Sequence, residues 1–169
     1  MPHIDFHALP DHSRIWVFPA NRALTGQEAE SLLAEVDAFL AGWAAHGHPL
    51  RSGRLFMDDH FLLVGVDEDA EAPSGCSIDA LVNRLEGLAS GLGIHLVDHA
   101  PVWFREGGSV RTVTRAEFSA LAQEGAGTPD TRVFDTSLTR MKALRGGGLE
   151  RTARECWHGR AFFREQLAS

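Results

Sequence analysis

The spacing of apolar residues along the chain predicts an alternation of strands and helices. The segment from Arg14 to Asn21 combines β-branched and aromatic residues and is interrupted by Pro19, which is typical of a short strand. Between Leu32 and Trp43, apolar residues recur at three- and four-residue spacing, as they do on one face of a helix. A capping box at positions 25–28 precedes them. These features predict a first strand and a first helix that ends near Gly47.

The next apolar segments predict a hairpin and a second helix. Leu55 to Met57 and Phe61 to Asp67 are separated only by a short polar turn, so we expect them to pair as antiparallel strands. An apolar stripe between Ile78 and Leu88 follows, and either Ser74 or Ser77 is suited to cap a helix there. Two glycines, at positions 91 and 93, stand where this second helix should end.

The remaining part of the chain predicts one more hairpin and further helices. Ile94 to Phe104 is predicted to be a strand, with Val110 to Val113 as its shorter partner. Thr114 to Glu117 forms another capping box and predicts a short helix. A loop is expected from Gly125 to Asp130, and after it the pattern indicates helices up to the C-terminus, with a break at Gly146–Gly148.

The order strand, helix, strand, strand, helix, strand predicts an α+β fold. It corresponds to a ferredoxin-like βαββαβ two-layer sandwich, here with an added hairpin strand and C-terminal helices. We expect one domain over residues 14–169. Residues 1–13, which contain His3, His7 and His12, are expected to form a loose, solvated N-terminal arm.

Composition and charge narrow the classes of function. The chain has 169 residues, 44% of them hydrophobic, and a net charge of −7, so its field repels a phosphate backbone and disfavours nucleic-acid binding. No window approaches the ~20 consecutive apolar residues of a membrane span, and no apolar run near the start suggests a signal peptide. The two cysteines, Cys76 and Cys156, are typical of reduced thiols rather than of a disulfide framework. We therefore expect a soluble cytoplasmic protein that binds no membrane.

Several short blocks, taken together, resemble one family of bacterial proteins. The blocks are Arg14-Ile-Trp-Val with Asn21-Arg22, Trp43-Ala-Ala-His-Gly47 with Leu50, Val66-Asp-Glu68, Ser74-Gly-Cys-Ser-Ile-Asp79 and Cys156-Trp-His158. On these blocks, most of the chain is similar to small uncharacterised proteins, common among Bacteroidetes, that are often labelled "ABC transporter ATPase". The chain has no Gly-x-x-x-x-Gly-Lys-Ser/Thr sequence, whose amides and lysine hold a triphosphate, so an ABC ATPase or another P-loop ATPase is excluded. The resemblance implies no established activity.

The most informative segment for chemistry is the turn of small residues from Pro73 to Asp79. It places Cys76 in the first turn of the predicted second helix, where free amides and the helix dipole attract anions and stabilise a thiolate. The leading hypothesis is a binding site for a small anionic ligand or a peptide. The residues assigned to this site are Ser74, Gly75, Cys76, Ser77 and Asp79.

Three other interpretations of the sequence stay open. In the first, Cys76 is the catalytic thiol of an enzyme or a redox sensor, with His60 or His46 brought close as a base. In a purely structural interpretation, Ser77 caps the helix, Asp79 complements its dipole and Cys76 is a small buried side chain. A third hypothesis is an interaction module that forms a homodimer through an uncovered face of its sheet.

The histidines predict neither a metal site nor a cofactor. His95 and His99 lie on one predicted strand, about 13 Å apart at a rise of ~3.3 Å per residue, which is too far for one ion. Cys156 and His158 would contribute ligands only if the fold gathered them with other residues. No cofactor is expected.

Overall fold

The contacts of the chain group into two compact units. A computed structural model describes residues 3–168; the first unit comprises residues 1–98 with 138–146, and the second comprises 99–137 with 147–169. Each unit contains helices and an antiparallel sheet, which confirms the mixed α+β class. The single domain expected over 14–169 stays a prediction.

Residues 3–168 form nine strands, most of them short, and six α-helices. In chain order they are β1 (Arg14–Pro19), α1 (Gly26–Ala41), β2 (Ala44–Ala45), β3 (His48–Pro49), β4 (Arg51–Met57), β5 (Phe61–Asp67), α2 (Gly75–Leu92), β6 (Val102–Glu106), β7 (Ser109–Val113), α3 (Arg115–Gln123), β8 (Arg132–Phe134), α4 (Met141–Gly147), β9 (Glu150–Thr152), α5 (Trp157–Phe162) and α6 (Arg164–Ala168). One-turn 3₁₀ helices lie at Phe6–Ala8 and Ala153–Glu155.

The central sheet of the first unit has the strand order β1-β5-β4, with all neighbours antiparallel. Helices α1 and α2 cover one of its faces through a shared apolar core. This core contains Leu32, Val36 and Leu40 of α1, Leu81, Leu85 and Ala89 of α2, and Phe18, Leu62, Val64 and Val66 of the sheet. The apolar spacing along α1 and α2 therefore identifies the faces that pack in this core. Its central members, which are Leu32, Val36 and Leu40 of α1 and Leu81 and Leu85 of α2, are buried, and Leu33, Phe39, Val82 and Leu88 are partly buried against them.

The fourth strand of the predicted ferredoxin-like arrangement is not part of this sheet. Residues 94–101 are not a strand, although Ile94 and Leu96 are buried in the same core. The amide of His95 donates to Asn21 Oδ1 at 2.8 Å, and Pro101 has no amide to donate, so this segment does not form a ladder. Residues 102–106 form β6 in the sheet of the second unit. The ferredoxin-like topology is therefore not confirmed.

The N-terminal segment, residues 3–13, packs on the sheet of the first unit and is not the loose arm that the sequence predicts; residues 1 and 2 of the predicted arm lie outside the described residues. The Ile4 amide donates to Ser52 O at 2.7 Å, and the side chains of Phe6 and Leu9 are buried. Gly53 and Gly65 make room for this packing: a Cβ on Gly65 would lie 2.8 Å from Leu9 Cδ1. Apolar burial of Phe6 and Leu9 holds the segment in place, at about 1.5–3 kcal/mol for each side chain.

Because of this packing, the second face of the sheet is not an open surface. Ile15, Val17 and Leu63, which alternate with the residues that face the helices, are at most 3% exposed. The hypothesis of self-association through an uncovered sheet face thus lacks its premise in this part of the chain. A homodimer formed in another way stays a prediction.

The predicted starts of α1 and α3 and the predicted end of α2 are confirmed. Thr25 and Glu28 form a reciprocal capping box at α1, as Thr114 and Glu117 do at α3, and Gly93 ends α2 in the left-handed conformation. The end of α1 was predicted wrongly. It lies at Ala41, and Gly47, at φ 78°, instead forms the tight turn between β2 and β3.

The second unit is built on a sheet with the order β7-β6-β8-β9. Its core contains Val102, Phe104, Phe118, Val133, Ala153 and Phe163. The hairpin of β6 and β7 is as predicted, but β8 and β9 both lie in the part of the chain after Asp130 that the sequence predicts to be helical. Both strands are only three residues long, too short to show an alternation. Within residues 3–168, no helix is long and apolar enough to cross a membrane.

Candidate functional site

The start of α2 is closed by two serines that bond to each other's backbone. Ser74 is the N-cap residue, and its hydroxyl accepts the Ser77 amide at 3.1 Å. In return, Ser77 Oγ accepts the Ser74 amide at 2.6 Å and donates to Ser74 O at 2.8 Å. Serine thus takes the place that glutamate has in the usual capping box. The sequence allowed either serine as the cap, and the structure assigns that role to Ser74.

Two amides of the first turn remain without a partner. Across the described chain, neither the Gly75 nor the Cys76 N–H donates a hydrogen bond, because the cap satisfies only the Ser77 amide of that turn. Both residues are exposed, and a Cβ built on Gly75 would have no atom within 4 Å. Two adjacent donors at the positive end of an 18-residue helix therefore face open space.

A buried tryptophan holds this turn in position. Trp43 Nε1 donates to Ser77 O at 2.8 Å, and Trp43 and Ser77 are both buried. Trp43 belongs to the core that joins α1, α2 and the sheet. The orientation of the first turn is consequently set by the core of the first unit, and not by the loop that precedes it.

The five residues predicted to form the ligand site lie as follows. Ser74, Gly75, Cys76 and Ser77 all belong to the cap and first turn, while Asp79 lies one position beyond that turn and is exposed. Neither a lysine nor an arginine occurs between residues 71 and 83. Within this segment, the groups that can attract an anion are therefore the backbone amides, the helix dipole and the serine hydroxyls.

The first unit carries all of the net charge of the chain. It has 15 aspartates and glutamates against 8 lysines and arginines, a formal charge of −7, whereas the second unit has 8 of each sign. This field opposes the approach of polyanions to the first unit. An isolated carboxylate or phosphate group is affected mainly by charges within about 8–10 Å, the Debye length at physiological ionic strength.

Cys76 is exposed at the second position of α2, so the interpretation as a small buried side chain is wrong. The bases proposed for it have other surroundings. His60 is buried, with its Nδ1 2.8 Å from Asp58 O, and His46 lies in the tight turn between β2 and β3. Neither histidine makes a hydrogen bond with Cys76 in the described part of the chain.

A different cysteine has a histidine next to it. In the second unit, Cys156 Sγ lies 3.1 Å from His158 Nδ1, and the His158 ring stacks on Trp157 at 3.9 Å. The sequence signal for this pair was the Cys-Trp-His block, which the structure brings into direct contact. Neither residue was assigned to the predicted site.

Burial keeps the Cys156 and His158 pair uncharged near neutral pH. Desolvation is the main cause that raises the pKa of the Cys156 thiol above its usual value, and the negative charge of Asp135 adds to it. Desolvation also lowers the pKa of His158 to about 4, more than the charge of Asp135 raises it. At pH 7 the pair therefore consists of a thiol and a neutral imidazole, which is not the state of an activated thiolate.

Comparisons with known proteins add no assignment to these sites. No protein-family model matches the chain, and no curated protein or solved structure is significantly similar to it.

Proposed function

We propose that the protein binds an anionic group of a small ligand or peptide at the start of α2. The observation that carries the proposal is the pair of exposed, unpartnered amides of Gly75 and Cys76. Backbone amides of a helix N-terminus donate to carboxylate and phosphate oxygens, and the dipole favours their negative charge. The Ser74 hydroxyl, which accepts the Ser77 amide at 3.1 Å and donates to Ser77 Oγ at 3.2 Å, lies beside these donors.

Charge limits the class of ligand. With no basic side chain in the segment and a net charge of −7 on the unit, a ligand with a single carboxylate or phosphate suits the turn better than a polyanion. The open space next to Gly75 allows the backbone of the turn to approach such a group closely. The terminal carboxylate of a peptide and a phosphate monoester both satisfy these conditions.

A proline substitution tests the proposal without removing the helix. Gly75→Pro eliminates one of the two donors, and proline is well tolerated at the first helical position because the amide there has no intrahelical partner. Ser74, which precedes it, has φ −91° and ψ 168°, a conformation that a following proline accepts. Gly75→Ala is the matched control, since it adds a Cβ into open space and keeps the amide.

The probes are inorganic phosphate and acetate, titrated into ¹⁵N-labelled protein. We expect saturable shifts of the Gly75 and Cys76 amide resonances, unchanged in affinity in Gly75→Ala and weakened about tenfold in Gly75→Pro. A tenfold change corresponds to about 1.4 kcal/mol, the size of one hydrogen bond to a charged group. Equal affinities of the two variants, or no saturable shift with either anion, would refute the proposal.

A thiol-dependent function at Cys76 is the second candidate, favoured by the exposure of this cysteine at a helix start. In a Cys156→Ser background, iodoacetamide should alkylate Cys76, with phosphate slowing the reaction by occupying the adjacent amides. Cys76→Ser is the control that must abolish labelling. An alkylation rate equal to that of a free cysteine peptide at every pH would exclude a specialised thiol.

A further inference from the structure

A histidine and two aspartates from separate parts of the first unit converge on one point. His12 Nε2 lies 2.8 Å from Asp69 Oδ2 and 3.7 Å from Asp67 Oδ1. The three donor atoms are all within 4.8 Å of one another. Ligand atoms bound to one ion at about 2.1 Å stand roughly 3–4 Å apart, so small side-chain adjustments bring this cluster to coordination distances.

The aspartates and the histidine of this cluster are each attached to an ordered part of the first unit. Asp67 is the last residue of β5, and Arg51 Nε, 3.4 Å from Asp67 Oδ2, leaves Oδ1 directed to the cluster. Asp67 Oδ1 also accepts the Asp69 amide at 3.0 Å. On the other side, the N-terminal segment that carries His12 is fixed by the burial of Leu9.

Arg145 fixes the same segment close to His12. Its guanidinium donates to Leu9 O at 2.7 Å and pairs with Asp11 Oδ1 at 2.6 Å. Arg140 Nη1 adds a contact of 3.4 Å to His12 O. The imidazole is thus attached to an ordered backbone, and ion binding does not have to order a loose arm.

A buried hydroxyl without a partner directly follows His12 in the chain. The β1–β5 register pairs Arg14 with Val66, and continuing this register by one residue beyond the end of β1 would set Ser13 opposite Asp67, on the same face of the sheet. Ser13 is fully buried, and its Oγ has no hydrogen-bond partner in the described chain. Buried hydroxyls are nearly always paired. A water bound to an ion in the cluster would provide the partner that Ser13 needs.

We propose that His12, Asp67 and Asp69 bind a divalent transition-metal ion such as Zn²⁺ or Co²⁺. One imidazole nitrogen with two carboxylate oxygens is a donor set that such ions accept, whereas Ca²⁺ and Mg²⁺ prefer oxygen alone. The net charge of −7 on the first unit attracts cations to it. The side chains of His12 and Asp69 are 56% and 74% exposed, so the remaining coordination positions are open to water.

The metal ions alone are the probes. Calorimetric titration with Zn²⁺ should give one ion per chain, and Co²⁺ should develop visible absorption bands of a site with nitrogen and oxygen ligands. His12→Gln and Asp69→Asn should each weaken Zn²⁺ binding at least about tenfold, because loss of even an outer-shell partner commonly costs 10–100-fold.

Two matched variants control for binding elsewhere. His7→Gln removes another exposed histidine of the same segment, and Glu86→Gln removes another exposed carboxylate of the same unit. Both should bind Zn²⁺ as the unaltered protein does. No stoichiometric Zn²⁺ binding, or equal losses in His7→Gln and His12→Gln, would overturn the proposal. Circular dichroism of each metal-free variant verifies that a loss of affinity is not a loss of fold.

Discussion

Replacing Gly53 by alanine tests how the N-terminal segment is held on the sheet. A Cβ at position 53 would lie 2.6 Å from Ile4 O and 2.9 Å from the Phe6 amide nitrogen. Both neighbours are backbone atoms, so no rotamer change relieves the contact. Either the segment shifts locally, or it leaves the sheet and exposes Phe6 and Leu9.

The free-energy losses of these two responses set the expected destabilisation by Gly53→Ala. Forcing an extra methyl group into a packed site costs typically 1–3 kcal/mol, whereas exposing Phe6 and Leu9 together costs about 3–6 kcal/mol. The response with the smaller free-energy loss will be adopted, so we expect the free energy of unfolding to decrease by about 1–3 kcal/mol. At about 2–4 °C for each kcal/mol in a chain of this size, Tm should fall by several degrees.

Urea unfolding followed by circular dichroism measures this loss, and limited proteolysis of the N-terminal segment shows whether it detaches. Gly87→Ala is the matched control. Gly87 lies in the interior of α2 with no atom within 4 Å of a built Cβ, so alanine there should stabilise the protein by roughly 0.5–1 kcal/mol. If Gly53→Ala changes stability by less than about 0.5 kcal/mol, the close packing of the segment on Gly53 is refuted.

Three further predictions concern single residues. Burial lowers the pKa of His158 to about 4, while the pKa in the unfolded chain is near 6.5. The free energy of unfolding should therefore fall by on the order of 3 kcal/mol as the pH drops from 7 to 4. Urea unfolding across this pH range measures the loss, and His158→Gln should remove it. Trp43→Phe keeps an aromatic ring but loses the Nε1 donor to Ser77 O. It should lower the free energy of unfolding in urea by about 1–3 kcal/mol and shift the Ser77 resonances. Unshifted Ser77 resonances would contradict this contact. The side-chain hydrogen bond from Arg22, together with the Thr25 amide, lowers the pKa of Glu28 to about 2. The ion pair of Arg22 and Glu28 should therefore be intact above pH 4.5 and be lost as the pH falls through 2. NMR titration of the Glu28 carboxyl group should show this, and Arg22→Met should raise its pKa.

The sequence by itself determined the local features of this protein. The capping boxes at Thr25 and Thr114 and the left-handed end of α2 at Gly93 depend on residues within four positions of one another, so their chemistry is readable from the chain. The same holds for the free amides of Gly75 and Cys76. Amphipathic spacing likewise identified the buried faces of α1 and α2, because a helix of 16 or 18 residues repeats its pattern often enough to be recognised.

Only the tertiary structure decided which distant segments meet. The N-terminal segment looked loose because its polar residues outnumber Phe6 and Leu9, yet Gly53 and Gly65, some 50 residues later, create the surface on which those two side chains are buried. This packing sets His12 beside Asp67, a proximity that no local pattern encodes. Strand β8 forms hydrogen bonds with β9 and β6. Each of β8 and β9 is only three residues long, and a segment of that length shows too little periodicity to be predicted from the sequence. Contacts between remote residues depend on the packing of the whole core, which a window of neighbouring residues does not contain.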